Sequence, residues 1–284
     1  MTLLVLFRFI HFLCVMTLFG VALFRPVLVG AKPLPTLRRA MDPALCMVAL
    51  FALLSGIGWL LASAALMAGD WPTGLRPETL RKVLFSTFFG QVWAVHLVLC
   101  LGQLVYWRIP GWRSHAPARV LATLVLATLA PVGHSAMFTG LTGAAMMLNQ
   151  WVHLLATGAW LGALILLLFI KLKPQLIDFN GTVSAFSRYG TPLVVAILFT
   201  GALNVRAITG QFWPTGSAFS SVLAIKAALV VAMLALALYN RTRAATAAPG
   251  TLAVSVGVEW LCGVAALLAV ALLGTLAPVP LVAA

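Results

Sequence analysis

The stretch GHSAMFTGLTGAAMMLNQWVHLLATGAW, residues 133 to 160, holds two imidazoles and three thioethers and not one charged side chain. In its second half Met146, Asn149, His153, Thr157 and Trp160 follow one another at three or four residues, the spacing that puts side chains on one face of a helix. Two shorter pairs repeat the theme. His11 and Cys14 stand at i and i+3, and His96 and Cys100 at i and i+4, with Gln103 beyond them. Imidazole, thioether and thiol together form the donor set of a soft metal ion: sulfur ligands select Cu(I), and imidazole suits copper generally. Hard cations want clusters of oxygen, and the whole chain carries five acidic residues. The candidate metal ligands are therefore His134, His153, His11, Met137, Met146, Met147, His96, Cys14 and Cys100. The competing reading is plain packing, since a buried Cys behaves as a small hydrophobe and Met as a gap-filler. The four cysteines show no paired spacing, so neither a disulfide framework nor a zinc knuckle is indicated. His115 lies in a basic loop and is not a candidate.

These residues need a scaffold, and composition names its class. The chain is 63% hydrophobic and 8% charged, against about 25% charged for a soluble domain. The class is an all-α polytopic membrane bundle, because in lipid the backbone must satisfy itself and no period-2 alternation for a barrel is present. A bilayer core takes about 20 apolar residues per helix. About eight stretches qualify: 3–29, 43–67, 83–107, 118–132, 146–170, 184–208, 219–239 and 252–276. Together they form one transmembrane domain, 1–284, with Gly and Pro at the breaks. The first stretch reads as a retained span and not a cleaved signal.

The net charge of +13 is a topology signal, not a nucleic-acid footprint. Arg25, Lys32, Arg38, Arg39, Arg108, Arg113, Arg119, Lys171, Lys173, Arg188, Arg241 and Arg243 fall on one set of loops, while Arg76, Arg81 and Lys82 fall on the other. The first set faces the cytoplasm, and both termini then face the periplasm. His134 comes to lie at the outer mouth. His11 sits roughly 12 Å below the outer surface and His96 roughly 20 Å, so the donors form a descending ladder. Lys226 and Glu259 count to mid-depth on consecutive helices, which predicts a structural ion pair between them. Arg8, one turn before His11, sets a fixed positive charge near that end of the ladder. Gly158 and Gly162 form a small-xxx-small packing face.

Several segments carry a family resemblance. GHSAM, WVHLLATGAWLGALILL, FSRYGTPLVVAILFTGALN, VLAIKAALVVAMLALALYNR and VGVEWLCGVAALLAVALLGTLAP, in that order, with the earlier LRKVLFSTFFGQVW, resemble the copper resistance protein D family, CopD. The resemblance covers most of the chain and is densest from about residue 133 to 278. It implies a bacterial inner-membrane protein that brings copper toward the cytoplasm, with a periplasmic copper-binding partner of the CopC type. It carries onto His134 and His153, and more loosely onto His11, Lys226, Asn240 and Glu259. His96 is a departure, since members often place Arg there.

The function expected is a copper-binding permease carrying Cu(I) or Cu(II), not an enzyme. No GxxxxGK[ST] motif is present. Two other readings stay open. His11 and His153, at similar depth on different helices, would suit the axial positions of a haem b, and a docking subunit that transports nothing would use the polar residues as packing glue.

Overall fold

The computed structural model describes residues 1–29, 35–109, 116–173 and 177–278. Lys32, Arg113 and His115 lie outside the described residues. The elements are α1 (Thr2–Leu28), α2 (Pro35–Ala68), α3 (Trp71–Gly74), α4 (Pro77–Ser86), α5 (Phe88–Arg108), α6 (Ala116–Leu129), a 3₁₀ turn (His134–Met137), α7 (Gly140–Lys171), α8 (Phe179–Thr209), α9 (Ala218–Arg243) and α10 (Pro249–Leu273). The fold is the all-α polytopic bundle that composition demands. Among the described residues, seven helices are long and apolar enough to cross a membrane. The fourth expected span, 118–132, falls on α6, which has 14 described residues and reaches only about 21 Å, short of the roughly 30 Å hydrocarbon core.

The boundaries differ from expectation where a residue was misjudged. The third span begins at Phe88 and not at 83, because Thr87 is extended (φ −110°, ψ 146°) and its hydroxyl caps α5 at the Gly90 N–H. Pro43 and Pro192 lie inside α2 and α8 instead of breaking them, which membrane helices tolerate when neighbours re-satisfy the freed carbonyls. α7 starts six residues before the expected Met146.

α1 is the central helix, packed against α2, α6, α7 and α10. α2, α5 and α6 complete one flank; α7 to α10 form the other. The two flanks meet where α1 crosses α7 at bare backbone. A Cβ on Gly20 would lie 2.4 Å from the Gly158 carbonyl oxygen and 2.5 Å from Gly162 Cα. The small-residue face read from the sequence is thus a helix contact, with Gly20 as its partner. At the other end of α1, the buried Arg25 pairs with Asp42 of α2 at 2.6 Å and lies over the Trp107 ring of α5.

The glycine crossing leaves no room for a side chain, and overpacking of this kind costs about 1–3 kcal/mol or more. Gly20→Val and Gly162→Val should lower the thermal unfolding temperature in detergent and reduce the yield of monodisperse protein. Gly190→Ala, at a helical position with nothing within 4 Å, should leave both unchanged or slightly raised. Equal behaviour of the three variants in a fluorescence-detected melt would refute the close crossing.

Candidate metal centre and its cavities

His11 on α1 and His96 on α5 meet with their Nε2 atoms 2.8 Å apart. Cys100, one turn along α5, brings its Sγ to 3.5 Å from His96 Nε2. The three donor atoms lie within 4.8 Å of one another. Both imidazoles are 0% exposed and Cys100 is 1% exposed. The walls are aromatic: Trp93 stacks on His96 at 4.5 Å and Trp59 sits edge-on to His11 at 5.8 Å. Trp93 is held by its own indole N–H, which donates to the Gly56 carbonyl at 2.9 Å.

The outer nitrogens of both rings are fixed by the protein. His11 Nδ1 is 2.9 Å from the Ala52 carbonyl oxygen. A carbonyl only accepts, so Nδ1 carries the hydrogen and Nε2 is left with a lone pair. His96 Nδ1 is 2.7 Å from Thr128 Oγ1, which in turn lies 2.8 Å from the Val125 carbonyl. Two proton arrangements complete this chain. In one, the Thr128 hydroxyl donates to His96 Nδ1 and His96 Nε2–H donates to His11 Nε2. In the other, the hydroxyl turns to Val125, His96 Nδ1–H donates to it, and two Nε2 lone pairs face each other. The second arrangement demands a shared proton or a metal cation between the rings. Metal-ligating histidines are commonly held in this way, donating the far N–H to a carbonyl or a polar side chain. An ion about 2 Å from each nitrogen requires the rings to part by several tenths of an ångström.

The other candidates assemble elsewhere. A cavity of about 220 Å³, outer in that it lies on the His134 side that the Lys and Arg bias is expected to turn outward, is lined by His134, Met146, Gln150, His153, Thr157, Asn204, Arg8 and Lys226, among apolar neighbours. His134 enters it on the 3₁₀ turn that follows the short α6. Its Nε2–H points at the Leu273 carbonyl at 3.4 Å, and its ring sits edge-on to Phe219. Burial, with the Arg8 guanidinium nearby, holds the His134 imidazole below the ordinary histidine value, against the pull of the Leu273 carbonyl. His153 Nδ1 lies 2.8 Å from Thr200 Oγ1, whose hydroxyl donates to the Ala196 carbonyl, so its Nε2 keeps the lone pair. Asn149 and Gln150 hydrogen-bond across to Asn204 of α8. A second, inner cavity of about 200 Å³ lies between α7, α8, α9 and α10. Trp160 lines both cavities. Its indole N–H donates to Glu259 Oε1 at 2.6 Å, and the Asn240 amide donates to Glu259 Oε2 at 2.7 Å. Trp160 is therefore a septum held by a buried carboxylate.

Three expectations are corrected. His11 and His153 do not face a common ligand: His11 turns to α2 and α5, and His153 to α8. The Lys226–Glu259 pair does not form, because Glu259 is taken by Trp160 and Asn240 while Lys226 lines the outer cavity. Of the loop methionines only Met146 reaches that cavity. Met147 is the next residue round the helix, about 100° away, and Met137 is 61% exposed. Cys14 is buried one turn past His11 but outside the three-atom cluster. Thr128, Trp59 and Trp93 escaped the sequence reading. The FGQVW segment pointed at Trp93; nothing in the sequence marks Thr128.

Residues 1–144 match the family model described as copper resistance protein D-like, N-terminal domain, and residues 180–273 match copper resistance protein D. The chain belongs to the copper resistance protein D family. Inner membrane protein YebZ of Escherichia coli (strain K12) is 30% identical over 291 residues, covering 95% of this chain and 97% of that protein. Copper resistance protein D of Pseudomonas syringae pv. tomato is 28% identical over 82% of this chain and 79% of its own length. Copper transport protein CutJ of Bacillus subtilis (strain 168) is 30% identical over 75% of this chain and 41% of its own. No solved structure matches. The chain is thus a copper-related, multi-pass inner-membrane protein. In this family member the His11, His96 and Cys100 cluster falls within the first matched region, and Lys226 and Glu259 within the second.

The lowered His134 value sets a pH test. The neutral ring is favoured in the fold, so its contribution is complete above pH about 6.5 and is lost as pH falls from there through the folded value. Unfolding temperatures of wild type and His134→Gln should therefore differ most above pH 6.5 and converge below it. A gap that widens on acidification would contradict the burial of this imidazole.

Proposed function

We propose that this protein is a copper permease that takes copper from the periplasm and passes it to the cytoplasm, with Cu(I) held at mid-path by His11, His96 and Cys100. The observation that carries the reading is the facing pair of imidazole nitrogens with a thiol beside them, all three side chains buried among aromatic rings. That donor set suits a soft monovalent ion and gives little to Mg²⁺ or Ca²⁺. The copper transport name of the Bacillus subtilis relative points the same way.

The Lys and Arg bias supports the direction, since it turns the His134 turn toward the periplasm. His134, Met146 and His153 are the first donors copper meets there, and Trp59, shared by the cavity wall and the His11 ring, separates them from the buried site. A monovalent cation moving inward gains about 2.3 kcal/mol per 100 mV of membrane potential. A periplasmic copper-binding protein of the CopC type is the donor this reading calls for at the outer mouth. The bis-histidine haem reading loses its geometric support, because its two histidines diverge: His11 turns to α2 and α5, and His153 to α8.

Purified protein titrated with Cu(I) under reducing conditions should bind one ion with mixed nitrogen and sulfur scattering in its X-ray absorption spectrum. Cys100→Ser should remove the sulfur shell, and His96→Ala should weaken binding by about 10–100-fold, as loss of a metal-site residue does. No Soret band should appear. Unchanged affinity in both variants would sink the buried site. Uptake of radiolabelled copper into proteoliposomes of known orientation tests direction, and efflux only would reverse it.

A further inference from the structure

The five acidic side chains of the chain are Asp42, Asp70, Glu78, Asp178 and Glu259, and each can be followed. Asp42 pairs with Arg25, Asp70 caps α3, Glu78 sits in the first turn of α4, Asp178 precedes α8, and Glu259 is bound by Trp160 and Asn240. None of them lines the outer cavity. Two cations do. Arg8 is 9% exposed, its Nε has no hydrogen-bond partner, and its guanidinium lies 4.6 Å from the Trp59 ring centroid. Lys226 enters from α9 close enough to bear electrostatically on His153, and among the described residues no ion pair holds it.

A charge in the membrane interior is expensive unless paired or hydrated. Arg8 is offset in part, because it abuts Gly274 at the carboxyl end of α10, where the helix dipole is negative. Lys226, eight residues into α9, has no such partner. The remaining polar wall is neutral: His134, Gln150, His153, Asn204 and Thr157. The cavity therefore carries two basic side chains, neutral donors and no carboxylate.

We propose that this cavity is an anion site, in which Arg8 and Lys226 hold a compact carboxylate, phosphate or halide. The site is independent of the buried copper ligands and does not need copper to be the cargo. The group could belong to a soluble anion from the periplasmic side or to an anionic lipid headgroup.

Two tryptophans, Trp59 and Trp160, line the cavity, so anion occupancy can be read optically. In nanodiscs of neutral phosphatidylcholine, iodide should quench a saturable fraction of the tryptophan emission, while caesium should quench only linearly. Arg8→Gln and Lys226→Gln should each weaken the saturable component by about tenfold or more, the loss expected of one hydrogen bond to a charged group. Lys226→Arg should keep it, and it guards against a misfolded Gln variant. Protection from iodide by acetate, phosphate or chloride assigns the ligand to the aqueous side. Protection by phosphatidylglycerol alone assigns a lipid headgroup. Linear quenching by iodide in the wild type, or a saturable component that survives both Gln substitutions, overturns the site. Cu(I) affinity at His11, His96 and Cys100 should be unchanged in Lys226→Gln, so failure here leaves the copper reading standing and the reverse also holds.

Discussion

Inside roughly 30 Å of hydrocarbon little water is at hand to complete a hydrogen bond, and several of the deepest polar side chains of this bundle lie where neighbouring helices supply partners. Glu259 shows the constraint most fully. A lone carboxylate at that depth would be costly, but each of its oxygens receives one donor, from the Trp160 indole and the Asn240 amide. That pair of bonds ties α7, α9 and α10 at one level and sets the plane of the tryptophan that separates the two cavities. The amide group of Asn149, Gln150 and Asn204 does the same work between α7 and α8 nearer the outer side. Arg25 and Asp42 do it at the other end of α1.

α1 inherits its importance from this arrangement. It can touch both flanks only because glycine meets glycine at the α7 crossing, and its two functional side chains point to different compartments. Arg8 faces the outer cavity, and His11, one turn on, faces the buried cluster. Trp59 stands between them, under the Arg8 guanidinium on one side and against the His11 ring on the other. The indoles of Trp59 and Trp160 are thus partitions: one between the cavity and the metal centre, one between the outer and inner cavities.

Much of this was legible in the residues. Long apolar runs gave the spans, and the three-or-four spacing from Met146 to Trp160 gave the polar face of α7, which does line the cavity at Met146, His153, Thr157 and Trp160. Spacing gave depth and face but not neighbours. His11 and His96 were set at different rungs, yet their rings touch, because side chains on α1 and α5 reach toward each other across a common aromatic floor. The Lys226–Glu259 pairing failed on depth. Lys226 is eight residues from the outer start of α9, and Glu259 is fourteen from the outer end of α10. At about 1.5 Å per residue the two are some 9 Å apart along the bundle, which is enough for Asn240, from the deeper half of α9, to take the carboxylate instead. Thr128 was invisible because a hydroxyl on an apolar helix usually satisfies its own preceding turn, as this one also does.

The division of charge along the path then has a physical logic. The outer cavity holds Arg8 and Lys226 and no carboxylate, so on the anion-site proposal it favours anions and repels a bare metal cation. On the permease reading, the buried cluster offers two imidazoles and a thiol without a carboxylate, and would select by softness and not by charge. On that same reading, a copper ion that reached it through the cavity would cross that positive field most cheaply with an anionic ligand attached, and would exchange that ligand for imidazole at the partition formed by Trp59. Selection against hard cations would then occur twice, first by repulsion and then by a His/His/Cys donor set without a carboxylate.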